Sequence, residues 1–142
     1  MSNGAKVIYQ RLSTGATAQI TTEIAPKQQR QERDNRNPYV VYYRNQTTPN
    51  HTKNTTSVID EQVWIVECYA LTYDAAVELA EAVRSDIDRA PYGNYGSAPQ
   101  ASLNGSHFRN QTDPEFDDKT ELFDCEVEFV LRLQRAGTLS NN

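Results

Sequence analysis

The last apolar segment of the chain alternates between apolar and mostly polar side chains. Over FDCEVEFVLRLQ, residues 123–134, every second residue is Phe, Cys, Val or Leu, and the residues between them are mostly charged. A period of two is typical of a β-strand with one face in the core and one face toward water. Such a strand needs a second apolar layer to cover it, so the chain must fold as packed layers. The predicted core side is Phe123, Cys125, Val127, Phe129, Leu131 and Leu133.

Two further segments carry the β-branched and aromatic residues that favour strands. Residues 39–44 follow Pro38 and read YVVYYR, and residues 58–71 read VIDEQVWIVECYAL. The second segment is largely apolar on both faces, which indicates a central place in a sheet. A polar Thr/Asn segment separates the two, so we predict a hairpin with a long tip.

Residues 72–89 give the clearest helix signal. Thr72 is a suitable N-cap and Asp74 follows in the first turn, where the helix dipole favours an acid. A second, short helix is predicted over residues 4–13, with Gly15 as its stop, while residues 16–25 fit a helical turn or a short strand. The apolar stripe of the main helix is Ala76, Leu79, Ala80, Val83 and Ile87.

These elements predict an α+β fold, with a mostly antiparallel β-sheet on which one long amphipathic helix and a short N-terminal helix pack. A length of 142 residues suits a single domain, residues 1–142. We expect flexible loops near 27–37, 45–57 and 91–119, the last with a weak strand signal around 101–108. The C-terminal tail, GTLSNN, is expected to be loose.

Charge is unevenly spread along the chain. Residues 1–56 hold eight Lys/Arg and three acids, whereas the rest holds six Lys/Arg and sixteen acids, for a net charge of −5. This asymmetry favours charged partner surfaces and disfavours tight nucleic-acid binding, which needs a basic footprint. No apolar run has the length of a membrane span or of a signal peptide, so we expect a cytoplasmic place of assembly and no membrane partner.

Three charged clusters are candidate contact residues. A basic loop with arginines at a spacing of three could face an acidic neighbour, or could be a solvated loop. An acidic loop around Pro114 and the polar side of the last strand could face a basic partner or line a channel, or could be solvated surface. The clusters are Arg30, Arg33 and Arg36; Asp113, Glu115, Asp117 and Asp118; and Asp124, Glu126 and Glu128.

Residues that carry chemistry are few. Cys68 and Cys125 lie among apolar residues, which predicts buried free thiols, and His51 and His107 lie in polar segments. No metal-binding, nucleotide-binding or catalytic motif is present in the sequence, and the acidic loop lacks the glycine and terminal Glu of a calcium loop. We therefore predict no catalytic, metal or cofactor site.

The order of the elements and two motifs resemble those of the tail-completion or tail-terminator proteins of long-tailed bacteriophages. Proteins of this family join head to tail. The more specific motif is the strand Val63–Ala70 followed by TYDAA and LAEAVR in the helix, and the second is PYVVY at 38–42. The resemblance covers residues 5–135. It implies an α+β domain with a mostly antiparallel sheet, and a ring, commonly of six subunits, at the head-proximal end of the tail. That ring stops growth of the tail tube and joins the tail to the head connector.

The resemblance also implies the partners. These are further copies of the chain, the tail-tube protein, a head-completion or connector protein, and DNA that passes through the lumen without sequence-specific binding. The basic loop at 27–37 and the long segment at 91–119 depart from the family pattern. The alternatives are another neck or tail-tube component of the virion, a small ligand-binding or enzymatic domain, or a nucleic-acid-binding protein.

Overall fold

The computed structural model describes residues 3–27, 37–50 and 59–134. Helix α1 spans Gly4–Thr14, a 3-10 turn spans Ala16–Gln19, and helix α2 spans Tyr73–Ile87. The strands are β1 (Ile24–Pro26), β2 (Tyr39–Asn50), β3 (Ile59–Ala70), β4 (Gly93–Tyr95), β5 (Ala101–Gln111), β6 (Glu115–Asp117) and β7 (Leu122–Gln134).

All seven strands belong to one sheet. Its order is β1-β2-β3-β7-β5-β4, and β6 pairs with β7 beyond the end of β5. Only the β1–β2 pairing is parallel among the strands that the structure describes. The expected largely antiparallel α+β fold is confirmed, and so is the central position of β3, which lies between β2 and β7.

The sheet has two different faces, here called inner and outer. Both helices cover the inner face, where their apolar residues form one core with those of β3 and β7. The alternation predicted for β7 is confirmed, because its inner residues are fully buried except for Phe123, which is half-buried. On β3 the inner residues are Trp64, Val66, Cys68 and Ala70.

Helix α2 begins where its sequence predicts. The Thr72 hydroxyl oxygen accepts a hydrogen bond from the Ala75 backbone N–H at 3.1 Å, which satisfies one of the free donors at the helix start. All five residues of the predicted apolar stripe have no exposed surface. Helix α2 has 15 residues and α1 has 11, so the contrast between a long and a short helix is small.

A close approach to Gly15 joins the two helices. The carboxylate of Asp86 on α2 accepts hydrogen bonds from the backbone N–H groups of Ala16 and Thr17, at 2.8 and 2.9 Å. A Cβ at Gly15 would lie 2.1 Å from Oδ1 of Asp86, so only glycine leaves room for this contact. Gly15, which is predicted to end α1, therefore also leaves room for Asp86, whose carboxylate caps the 3-10 turn.

Two predicted loop boundaries need correction. Strand β2 continues through residues 45–50, which the sequence predicts as part of the hairpin tip, because the backbone of residues 46–50 pairs with residues 59–63 of β3. Residues 16–25 contain both of the proposed alternatives, a 3-10 turn and the first residues of β1.

The segment 91–119 is also mostly strand instead of loop, since it contains β4, β5 and β6. Strand β5 has register shifts at Leu103/Gly105 and at Phe108/Asn110. Each bulge changes which residues point inward, so the period-two pattern that identifies a strand is broken within the sequence.

The predicted loop at 27–37 lies mostly, and the C-terminal tail wholly, outside the described residues, and those expectations stay predictions. Within the described part of the chain, neither helix has the length and hydropathy needed to cross a membrane.

Candidate interaction surface

Most of the predicted acidic residues lie on one surface. Strand β6 pairs with the start of β7, which places Glu115 opposite Asp124 and Asp117 opposite Leu122. Directly opposite residues of an antiparallel pair project to the same face. The acidic loop and the polar side of β7, predicted as two clusters, therefore form one acidic surface on the outer face.

The remaining predicted acids lie at its margins. Asp113 and Asp118 are exposed on either side of β6, and Asp117 Oδ1 accepts a hydrogen bond from the Lys119 backbone N–H at 2.9 Å. Glu128 lies further along β7 and forms an ion pair with Arg109 at 3.1 Å. Glu128 is thus partly neutralised and belongs less to the acidic surface than Asp124 and Glu126 do.

Glu67 lies at the centre of this surface, and sequence reasoning did not identify it as a site residue. It lies opposite Glu126 across the β3–β7 pair and is only 4% exposed. Its carboxylate accepts a hydrogen bond from the Tyr69 hydroxyl at 3.1 Å and forms an ion pair with Lys27 at 3.1 Å. An acid between apolar residues of a predicted central strand is a signal that could have found it.

Glu67, Asp124 and Glu126 form a carboxyl cluster with oxygen atoms within 4.8 Å of one another. Burial, followed by the charges of Glu67, Glu126 and Asp117, raises the pKa of Asp124 to about 7. Burial and the neighbouring Glu67 also raise the pKa of Glu126. Near neutral pH the cluster is therefore partly protonated, because burial disfavours the charged forms and three adjacent carboxylates repel one another when all are ionised.

Carboxylate oxygens are ligands that a hard cation accepts. Here the ammonium of Lys27 lies against Glu67, and the raised pKa of Asp124 leaves that carboxyl partly protonated near pH 7. Both features reduce the repulsion among the three acids.

Tyrosines flank the carboxyl cluster. The rings of Tyr39 and Tyr69 stack with centroids 4.6 Å apart, and the Lys27 ammonium lies 4.7 Å from the Tyr43 ring centroid. Burial and the nearby Glu67 raise the pKa of Tyr43 to about 12. With Val41 and Leu122, Tyr39 and Tyr69 form a small second apolar cluster, so the outer face is less wet than the alternation suggests.

The predicted basic residues Arg30, Arg33 and Arg36 lie outside the described residues. Another basic region lies at the far end of the outer face. There Arg132 of β7 lies opposite Gly105 and 4.0 Å from Glu61, and His107 lies opposite Val130. The sequence gives no local signal for this region, because its side chains come from separate elements.

The cysteines are buried, as predicted. Cys68 and Cys125 lie opposite each other on β3 and β7, and the Cys125 thiol donates to the carbonyl oxygen of Thr112 at 3.0 Å. Burial raises the pKa of Cys125 to about 11 and also raises that of Cys68. Both groups therefore remain protonated thiols near neutral pH, which makes them poor nucleophiles.

Comparison with known proteins supports the fold. No curated protein sequence shows a significant match to the chain. A chain in the structure titled "Virion of native gene transfer agent (GTA) particle" is similar, with a TM-score of 0.68 and 16% sequence identity. The similarity covers 94% of this chain and 95% of that one, and at this identity it shows the fold.

The family model described as tail completion protein gp17 matches residues 6–133. This range contains every described helix and strand except the first two residues of α1 and the last residue of β7. It agrees with the resemblance inferred from the strand-to-helix motif and from PYVVY. The chain therefore belongs to the tail completion protein gp17 family, whose members are structural proteins of the phage virion.

Proposed function

We propose that the protein forms a hexameric ring that caps the phage tail tube and joins the tail to the head connector. The observation that carries this proposal is the match of the tail completion family to residues 6–133. The likeness to a chain of a gene transfer agent virion supports a role as a particle component. In this role the protein acts at the head-proximal end of the tail, after assembly in the host cytoplasm, and has no enzymatic activity.

DNA passes through the lumen of the proposed ring. Asp124, Glu126 and Glu128 form the wall of that lumen, where negative charge repels the phosphate backbone and allows the DNA to slide. The grouping of Glu67 with Asp124 and Glu126 supports this assignment, because it concentrates acids from β3 and β7 on one face. Sequence-specific contacts are not needed for such passage.

Charged loops fix the register between neighbouring subunits. The basic loop with Arg30, Arg33 and Arg36 is one candidate for the basic side of the contact. The exposed acids beside and within β6, Asp113, Glu115 and Asp118, together with Asp117, form the acidic side. A head-to-tail contact of this kind repeats around a closed ring. Because charged rims mainly affect association rate and specificity, the contact should weaken with salt.

The test is deletion of the gene from the phage and electron microscopy of the products. We expect separate filled heads and tails, with tails of uncontrolled length, and restoration of whole particles by the wild-type gene. Purified protein should form ring-shaped particles in negative stain, and these should bind the end of isolated tails.

Other results would point to the alternatives. Copies of the protein spaced along the whole tail would identify a tail-tube component, and copies on heads that lack tails would identify a different neck component. Normal particles in the absence of the gene would contradict a structural role altogether.

A further inference from the structure

A basic cleft opens at the edge of the sheet, at the opposite end of β7 from the acidic surface. Its volume is about 500 Å³, within the range of pockets that hold several side chains or a small molecule. Arg89, His107 and Arg132 supply positive or protonatable groups, and none of the eight lining residues is acidic. This is a local basic region in a half of the chain that is strongly acidic.

The backbone explains why the cleft exists. Strand β5 shifts register between Leu103 and Gly105, and Gly105 lies opposite Arg132. A Cβ at Gly105 would meet only the Arg132 side chain, at 4.0 Å, so the glycine leaves open space over the arginine. Arg89, with φ of 57°, adopts the left-handed conformation just after α2, and its backbone N–H donates to the Ser106 carbonyl at 3.0 Å. The cleft is thus built by the turn after α2 together with the bulge of β5.

The rim of the cleft also carries an aromatic side chain. Tyr92 is 80% exposed, the most exposed large apolar residue in the described chain. A partner that fits here should therefore offer both negative charge and an apolar group. Duplex DNA offers phosphates, but its bases are stacked inside the helix and do not present an apolar face to Tyr92, which makes it a poorer match.

The acidic segment around β6 has both properties. Asp113, Glu115 and Asp118 are exposed, and Phe116 between them is 55% exposed. With Asp117 and Lys119, residues 113–119 have four acids and one lysine. The segment is short and held against β7 by its pairing with residues 122–124, so its charges are presented at a fixed place.

The two regions of one subunit cannot meet. Glu115 lies opposite Asp124, and Asp124 and Arg132 are eight positions apart on β7. At about 3.4 Å per residue the two ends are roughly 27 Å apart along the strand. This exceeds both the reach of the side chains and the screening length of about 8–10 Å near physiological salt. Any pairing of the cleft with the acidic segment must therefore join two copies of the chain.

We infer that the cleft formed by Arg89, His107 and Arg132 receives the acidic segment 113–118 of a neighbouring copy. The inference rests on the ring proposed above and specifies a contact in it. Because the two surfaces lie at opposite ends of one strand, the contact is head-to-tail and can propagate around a ring. It supplies a basic side of the interface that is separate from Arg30, Arg33 and Arg36.

Reciprocal charge reversal tests this contact, with oligomer dissociation measured by sedimentation for the purified full chain, alone and with isolated tails. We expect R89E/R132E and E115K/D118K each to raise the dissociation constant about tenfold or more at low salt. The combination of all four changes should return it to within about threefold of wild type, because the swapped charges attract again. R44E reverses one arginine on an exposed residue of β2, is the matched control for the single variant R89E, and should have little effect.

Two further variants separate the contact from folding defects. Reversal of Arg132 also changes its interaction with Glu61, so R89E alone should weaken the oligomer while leaving the circular dichroism spectrum and melting temperature unchanged. Gly105→Leu fills the cleft without a change of charge and should weaken the oligomer at both low and high salt.

An oligomer unaffected by R89E/R132E and by Gly105→Leu would overturn the inference, as would the failure of the four-residue swap to restore association. Loss of DNA retention alone, with association intact, would instead identify the cleft as a site for phosphates and would also overturn it. None of these results would contradict the proposed ring. A wild-type chain that remains monomeric both alone and with tails would contradict the proposed function instead.

Discussion

The inner and outer faces of the sheet accommodate acidic side chains in opposite ways. On the helix-covered side, Asp86 is 4% exposed, and both of its carboxylate oxygens accept backbone hydrogen bonds. On the outer face, Asp124 is crowded by Glu67 and Glu126, and its Oδ1 is buried without a hydrogen-bond partner among the described residues. A buried acid therefore stabilises a fold when donors surround it, and opposes folding when other acids do.

The largest effect should come from the inner face. Phe129→Ala should lower the free energy of unfolding by about 3–5 kcal/mol, because Phe129 has no exposed surface and packs edge-on against Phe108 at 6.3 Å. Urea denaturation of the purified protein measures this. The matched control is Glu128→Ala. This residue directly precedes Phe129 and lies on the outer face, so its loss should cost less than about 1 kcal/mol. Equal losses for the two variants would show that the faces do not differ.

The second prediction concerns Asp86, whose two carboxylate oxygens both accept hydrogen bonds. Asp86→Ala should lower the free energy of unfolding by about 2–4 kcal/mol, because it leaves the N–H groups of Ala16 and Thr17 without their acceptor. Glu81→Ala, at an exposed position of the same helix, should change stability by less than about 0.5 kcal/mol. The measurement is again denaturant unfolding, and a loss below about 1 kcal/mol for Asp86→Ala would show that water replaces the carboxylate.

Replacement of Asp124, which is crowded by other acids, should have a smaller effect on stability and of the opposite sign. The folded-state pKa of Asp124 is about 7, above its ordinary value of 3.8, so the native state binds more protons than the unfolded state between these values. The contribution of Asp124 to the free energy of unfolding should therefore be most favourable below about pH 4, and should fall as the pH rises toward 7. Asp124→Asn should remove this loss and stabilise the protein by about 1 kcal/mol at pH 8, less than the full linkage value because the carboxyl is not fully enclosed.

Unfolding of wild type and Asp124→Asn across pH 4–8 tests this sign. Parallel pH profiles for the two proteins would contradict the raised pKa. Asp118→Asn is the control, since this exposed acid lies beside β6 and outside the carboxyl cluster.

The smallest effect on the monomer should come from the basic loop. Reversal of Arg30, Arg33 and Arg36 to Glu should change monomer stability by less than about 0.5 kcal/mol per residue, because charges in a segment predicted as a loop are expected to be solvated. We expect the same reversal to weaken the proposed ring, and added salt to weaken the proposed wild-type ring in the same direction. Sedimentation at low and high salt is the measurement. An oligomer that responds to neither change would indicate an apolar interface.

Much of the core could be predicted from local periodicity in the sequence. The alternation of β7, the apolar stripe of α2 and the Thr72 cap are each contained within one element, so they could be identified without knowledge of its neighbours. The family resemblance rested on the same elements, because the strand-to-helix motif combines the end of β3 with the start of α2. These features fixed the α+β class and the face of β7 that is buried.

The sequence alone does not show which charges lie together. Glu67 joins Asp124 and Glu126 through the β3–β7 register, and β6 brings Glu115 to the same face. The bulges of β5 and the open space at Gly105 place Arg89 beside Arg132 across the basic cleft. Such groupings depend on pairing between distant segments. A shift of one residue in register would reverse every side chain on a strand, and the local pattern of a polar strand does not fix that register.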